Sequence, residues 1–224
     1  MSITQNRIVL YGFLYLALIA SLNLMGQSQQ IPFPSSKYSD LLTSLKAEGY
    51  TFMLPKDVCR FGVHGRTVMI VHYVDISFHG APMFVSVERA LGVRSAFYPR
   101  ADMDYFTQNV LYLQGLQAEG WEVGFTNDML SRADGNVTQA RILFTHELAY
   151  MRGFFNVTTV RYHGDELNNA IHNNLYMLPY YAGFGLCNVS DWPNATYIQD
   201  THHVYIDSGQ RPLFIVLQLH TDWW

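Results

Sequence analysis

From Thr67 to Phe125 the chain alternates β-branched apolar runs with glycine-stopped helical stretches, which restricts it to folds built on a parallel sheet. Thr67 to Val74 is the first apolar run. Pro82 to Leu91 is a short helix closed by Gly92, and Val93 to Tyr98 is a second run. A helix over about Tyr105 to Glu119, a Gly120 stop and a short strand at Trp121 to Phe125 complete a βαβαβ series. A further helix, about Val137 to Met151, leads to a strand at Thr158 to Tyr162. Later strands are expected near Ala182 to Leu186, His203 to Ile206 and Leu213 to Leu219. Ahead of the series, Tyr38, Leu41, Leu42 and Leu45 recur at helical spacing, and Gly49 stops that amphipathic helix. The expected class is α/β with a parallel sheet or barrel, its functional residues at the C-terminal ends of the strands.

The N-terminus is a different kind of segment. Arg7 precedes an almost unbroken apolar run from Ile8 to Met25, long enough to be read as a membrane or export signal. Residues 1–26 are either a cleaved signal peptide or an uncleaved signal anchor, with membrane attachment through residues 8–25 in the second case. Arg7 on the cytoplasmic side would leave the rest of the chain lumenal or extracellular. Residues 27–36 are polar with two prolines and read as a stalk, so one domain is expected over 37–224. Four Asn-x-Ser/Thr triplets, at Asn136, Asn156, Asn188 and Asn194, fit glycosylation in the secretory pathway. Cys59 and Cys187 are the only cysteines, and an oxidising lumen would permit one bridge between them.

Charge sets a limit on partners. Fourteen Lys and Arg stand against 18 Asp and Glu, with no basic run to neutralise a line of phosphates, which argues against nucleic acid. Aromatic residues reach 15%, which suits either a sugar-stacking groove or a tyrosine-rich core and rim.

Polar residues follow the strands as the fold class requires. His72-Tyr73-Val74-Asp75 after the first strand resembles the His-Asp-Val-Asp motif of the polysaccharide-deacetylase-like (NodB-related) family, whose first Asp is the general base and whose second binds a divalent metal. Asp75 matches the ligand, and Tyr73 stands at the base position. Gly92 to Tyr98 is similar to the family's glycine-led second strand. Gly120 to Thr126 is similar to its Gly-His-Glu-Ile-Gly-x-His strand, with Trp121 for the first His and Thr126 for the last, a metal ligand. Tyr162-His163-Gly164 resembles a His-Gly element of one branch, and Leu219-His220-Thr221-Asp222-Trp223-Trp224 its closing strand.

The resemblance implies a distorted (β/α) barrel of the glycoside hydrolase and deacetylase type. It also implies a hydrolysis that uses a zinc-like ion to polarise the carbonyl, a carboxylate to take the water's proton and an acid for the leaving group. Asp75 and His163 are the candidate metal ligands, Asp75 and His220 the candidate catalytic pair, and His72, Thr126, Asp128, His163 and Trp223 the candidate pocket. A tyrosine titrates near 10 and is a poor base at neutral pH, and a threonine hydroxyl is a poor zinc ligand. The expected function is thus a deacetylase-like carbohydrate domain with impaired hydrolysis that acts in binding or scaffolding. Two alternatives stand beside it: an active deacetylase with a site rearranged around Asp75, His163 and His220, and a structural glycoprotein subunit that binds another protein. His202 and His203 read as strand-edge residues.

Overall fold

The computed structural model describes residues 35–163, 177–190, 192–201, 204–206 and 212–223; the leader and most of the stalk lie outside them. Among the described residues no helix is long and apolar enough to cross a membrane.

The domain opens with helix α1 (Ser35–Ala47), which buries Tyr38, Leu41, Leu42 and Leu45 on one stripe. Strand β1 (Thr51–Phe52) and helix α2 (Pro55–Phe61) precede the first long strand, β2 (Thr67–Val74). Seven of the eight β2 residues are buried, as expected of a strand covered on both faces. Helix α3 (Ala81–Leu91) ends at Gly92, whose φ of 67° is the left-handed conformation that glycine adopts without a Cβ penalty. Strand β3 (Ala96–Pro99), helix α4 (Asp104–Ala118), strands β4 (Glu122–Val123) and β5 (Phe125–Asn127), and the short helix α5 (Met129–Arg132) follow. Helix α6 (Val137–Arg152) leads to β6 (Thr159–Tyr162). The chain then forms helix α7 (Leu178–Tyr181), a 3-10 turn (Ala182–Phe184) and β7 (Cys187–Asn188). It ends with β8 (Thr196–Thr201), β9 (Val204–Ile206), β10 (Phe214–His220) and a 3-10 turn (Thr221–Trp223).

One sheet runs β4-β3-β2-β10-β8-β9 with β1 beside the start of β2, and a second runs β5-β6-β7. Among the described residues every pairing is parallel except β8 with β9. The two sheets meet at Gly124, whose N–H donates to the Phe97 carbonyl at 2.9 Å between β4 and β5. A Cβ at Gly124 would stand 2.1 Å from the Tyr98 ring, so only glycine permits this approach. The result is a distorted parallel β/α barrel.

Side-chain alternation along β2 separates two cores. Met69 and Val71 pack inward with Val58, Tyr98, Val189, Phe214 and Val216. Val68 and Ile70 point outward, into the layer formed by Tyr38, Leu42 and Leu45 of α1 and Phe84 of α3. A third cluster joins Phe97, Trp121 and Phe125 to Phe106 of α4 and Phe144 of α6.

Three expectations change. The strand expected at Trp121 to Phe125 is two strands, broken where Gly124 passes Tyr98. The segment expected to be a strand at Ala182 to Leu186 is a 3-10 turn continuing α7, with the strand displaced to Cys187–Asn188. Pro179 in the first turn of α7 favours the helix, Tyr181 stacks on Phe144 at 5.5 Å, and Gly185 in the left-handed region ends it. Strand β8 was not anticipated; β10 is inserted between it and β2.

Cys59 of α2 and Cys187 of β7 form a disulfide with their Cα atoms 6.2 Å apart. Asn136, Asn156 and Asn194 are exposed and Asn188 is half-buried, its side-chain oxygen accepting from the Ser190 N–H. Asn136 caps α6, accepting from the Gln139 N–H at 3.0 Å.

Candidate functional site

Parallel pairing brings the C-terminal ends of β2, β5, β6, β8 and β10 to one mouth. Asp75 lies one residue beyond β2, and the register that sets His220 against Tyr73 places the end of β10 beside it. Asp75 Oδ1 accepts from the Arg161 guanidinium at 2.6 Å, and Oδ2 lies 3.4 Å from His163 Nε2 and 3.5 Å from His220 Nε2. Burial pushes the Asp75 carboxyl upward, but Arg161, His163 and His220 outweigh it and hold the group well below the usual carboxylate range.

Arg161, on β6, is only 4% exposed. Its Nε lies 3.4 Å from Thr126 Oγ1, and Thr126 in turn donates to the Tyr98 carbonyl at 2.9 Å. The guanidinium carbon sits 3.5 Å from the centre of the Tyr73 ring, a cation–π contact. Burial raises the Tyr73 hydroxyl to about 12, against the opposing pull of Arg161. The phenol is therefore neutral at ordinary pH.

His220 is fixed from behind. Its Nδ1 lies 2.8 Å from Asp200 Oδ1, and its backbone N–H donates to the same carboxylate at 2.9 and 3.1 Å. Asp200, on β8, is 3% exposed. The imidazole so held turns Nε2 toward Asp75 and meets the Tyr73 ring edge-on with centroids 5.1 Å apart. Asp222 accepts from the Ser77 and Ile76 N–H groups at 2.7 and 3.1 Å and so pins the loop after Asp75. The His163 N–H donates to the Asn127 carbonyl at 2.8 Å, which holds this residue beside the end of β5.

Asp75, Tyr73, Thr126, His163 and His220 thus converge. Asp128 does not reach Asp75: it pairs with Arg100 at 2.9 Å and Arg132 at 3.5 Å, in a rim cluster that also holds Asp102 and Glu147. His72 is not in the pocket either. It lies one residue out of phase with Tyr73 and faces α3, where its Nε2 is 2.6 Å from Glu88 Oε1. Tyr38 also donates to Oε1 at 2.7 Å, while Ser95 and Trp121 donate to Oε2 at 2.6 and 2.7 Å. All five residues are buried. Of Trp223 only the backbone is described, and His202, His203, Gly164 and Trp224 lie outside the described residues. Arg161 and Asp200 are the site residues that sequence reasoning missed; Arg161 directly precedes the quoted Tyr162-His163-Gly164 element.

A divalent ion does not fit this arrangement. Asp75 Oδ1 is taken by a guanidinium whose positive charge opposes a second cation, and the Thr126 hydroxyl is already engaged by Arg161 and Tyr98. Among the described residues no three His, Cys, Asp or Glu side chains are grouped to hold a metal. The expected ligand pair of Asp75 and His163 therefore meets as a carboxylate and imidazole 3.4 Å apart, beside a resident cation.

No family model matches the sequence, and no curated protein matches it. Solved structures do. A CE4 esterase of Streptococcus mutans superposes with a TM-score of 0.55 at 16% identity, over 79% of this chain and 82% of that one. A family 4 carbohydrate esterase from Bacillus anthracis gives a TM-score of 0.45 at 16% identity, over 80% of this chain and 76% of its own. The chain accordingly has the fold of the carbohydrate esterases, that of the polysaccharide-deacetylase type.

Proposed function

We propose that this is a carbohydrate-binding domain of deacetylase-like fold, impaired in hydrolysis. The observation that carries the reading is Tyr73. At the position that the resemblance assigns to the proton-accepting carboxylate stands a phenol that burial pushes up to about 12 and whose ring the Arg161 guanidinium covers. Asp75 is a poor acceptor for the proton of a water at the mouth, because it is bound to Arg161 and held well below the usual carboxylate range. The remaining polar groups, His163, His220 and Asp75, are suited to hydrogen-bond a sugar.

The full chain, purified in mild detergent, is expected to bind N-acetylated or O-acetylated oligosaccharides in calorimetry and to release no acetate from them. Acetate release by the wild type that disappears in His220→Ala would overturn the reading in favour of an active esterase. That second reading has one observation behind it, the Asp200–His220 pair, which orients an imidazole as an acid–base group requires. A stoichiometric protein partner with no sugar signal would instead support a structural subunit. A secretory location and glycosylation belong to the same proposal. The disulfide and the exposure of Asn136, Asn156 and Asn194 support it, and a mass shift on endoglycosidase treatment tests it.

A further inference from the structure

The geometry points to Arg161 as the resident cation of the mouth: its guanidinium supplies the counter-charge of Asp75 and keeps the site closed to a divalent ion. This stands apart from whether the mouth binds a sugar. A carboxylate as enclosed as Asp75, 14% exposed, needs a counter-charge at short range. Arginine supplies one that no change of pH removes. The guanidinium is held on three sides, by Asp75 Oδ1 at 2.6 Å, by Thr126 Oγ1 at 3.4 Å and by the face of Tyr73 at 3.5 Å. Tyr73 and Thr126, which stand at the base and metal-ligand positions of the expected motifs, are thus the two residues besides Asp75 that seat the arginine. A zinc ion on Asp75 would need to stand about 2.0–2.2 Å from a carboxylate oxygen. An arginine nitrogen already lies 2.6 Å from Oδ1, and the buried guanidinium would repel a second cation there. On the other side, Oδ2 faces His163 and His220 at 3.4 and 3.5 Å, so removal of the guanidinium leaves a carboxylate without its counter-charge beside two imidazoles.

The test titrates zinc ion alone into the full chain by calorimetry and follows melting with and without a chelator, using Asp75→Asn as the control for zinc on exposed histidines. The wild type is expected to show no Asp75-dependent binding and no chelator-sensitive melting. Arg161→Ala is expected to melt lower, to gain an Asp75-dependent zinc site, and to recover part of the lost melting temperature when zinc is added. Thr126→His, which keeps the arginine, is expected to stay silent and decides the matter if Arg161→Ala does not fold. Asp75-dependent zinc binding by the wild type or by Thr126→His would overturn the inference, as would a folded Arg161→Ala protein that ignores zinc.

Discussion

Replacing Glu88 with alanine is predicted to destabilise the domain by about 3–5 kcal/mol, the range for removing one partner of a buried charged pair. The figure follows from the number of donors stranded. The Glu88 carboxylate receives Tyr38, His72, Ser95 and Trp121, each at 2.6–2.7 Å and each buried, and alanine leaves all four facing an apolar gap. At roughly 1–3 kcal/mol per orphaned polar group the simple sum is larger. The four share one acceptor, however, so their losses are not additive, and removing a buried charge returns part of its desolvation cost. For a domain of this size each kcal/mol moves the melting temperature by roughly 2–4 °C, so a fall of roughly 6–20 °C is expected in a thermal scan. Acid provides an independent check. Burial alone would raise the Glu88 carboxyl, but His72, Ser95 and Trp121 overcome it and depress it. A depressed carboxyl stabilises the fold above its unfolded value of about 4.3, and that stabilisation is lost as pH falls through the folded value. Glu88→Ala should therefore flatten the acid limb of the stability profile as well as lower the plateau. A loss under about 1 kcal/mol with an unchanged acid limb would refute the claim that this carboxylate holds α1, β2 and α3 together.

Two other perturbations test the framework around the site. Cys59→Ser opens a covalent loop with a sequence separation of 128 and is expected to cost about 4–5 kcal/mol by the chain-entropy estimate, read as a shifted urea midpoint. Gly124→Ala forces a methyl group to within 2.1 Å of the Tyr98 ring, and an overpacking loss of about 1–3 kcal/mol is expected, read by thermal melting; an unchanged midpoint would mean that β4 and β5 are not pinned there.

What could be read in the sequence was local. The β-branched run of β2, the Gly92 stop and the heptad-like stripe of Tyr38, Leu41, Leu42 and Leu45 each carry their signal within a few residues. Asp75 and His220 were legible for the same reason, through short motifs. Arg161 was not, because its meaning depends on Asp75, 86 positions away, and Asp200 matters only once β8 lies beside β10. His72 was placed in the pocket because it belongs to the motif, yet the two-residue period of a strand turns it away from Tyr73. The short helix at Leu178–Tyr181 was hidden because its burial comes from Phe144, which no local pattern reveals.

The place of β10 has a consequence for how the chain is made. It follows every other described strand in the sequence, yet in the sheet it stands between β2 and β8 and pairs with both. Ribosomes deliver it after those strands. Until then β2 and β8 each present an open edge, and the apolar outward row of Val68 and Ile70 lacks its neighbours Ile215 and Leu217. The nascent domain must wait, with Asp75 and Arg161 already emerged and His220 still to come, in a state prone to pairing with other chains. Its most vulnerable period is therefore its own synthesis, and a product that stops short of Phe214 has no strand with which to close the gap.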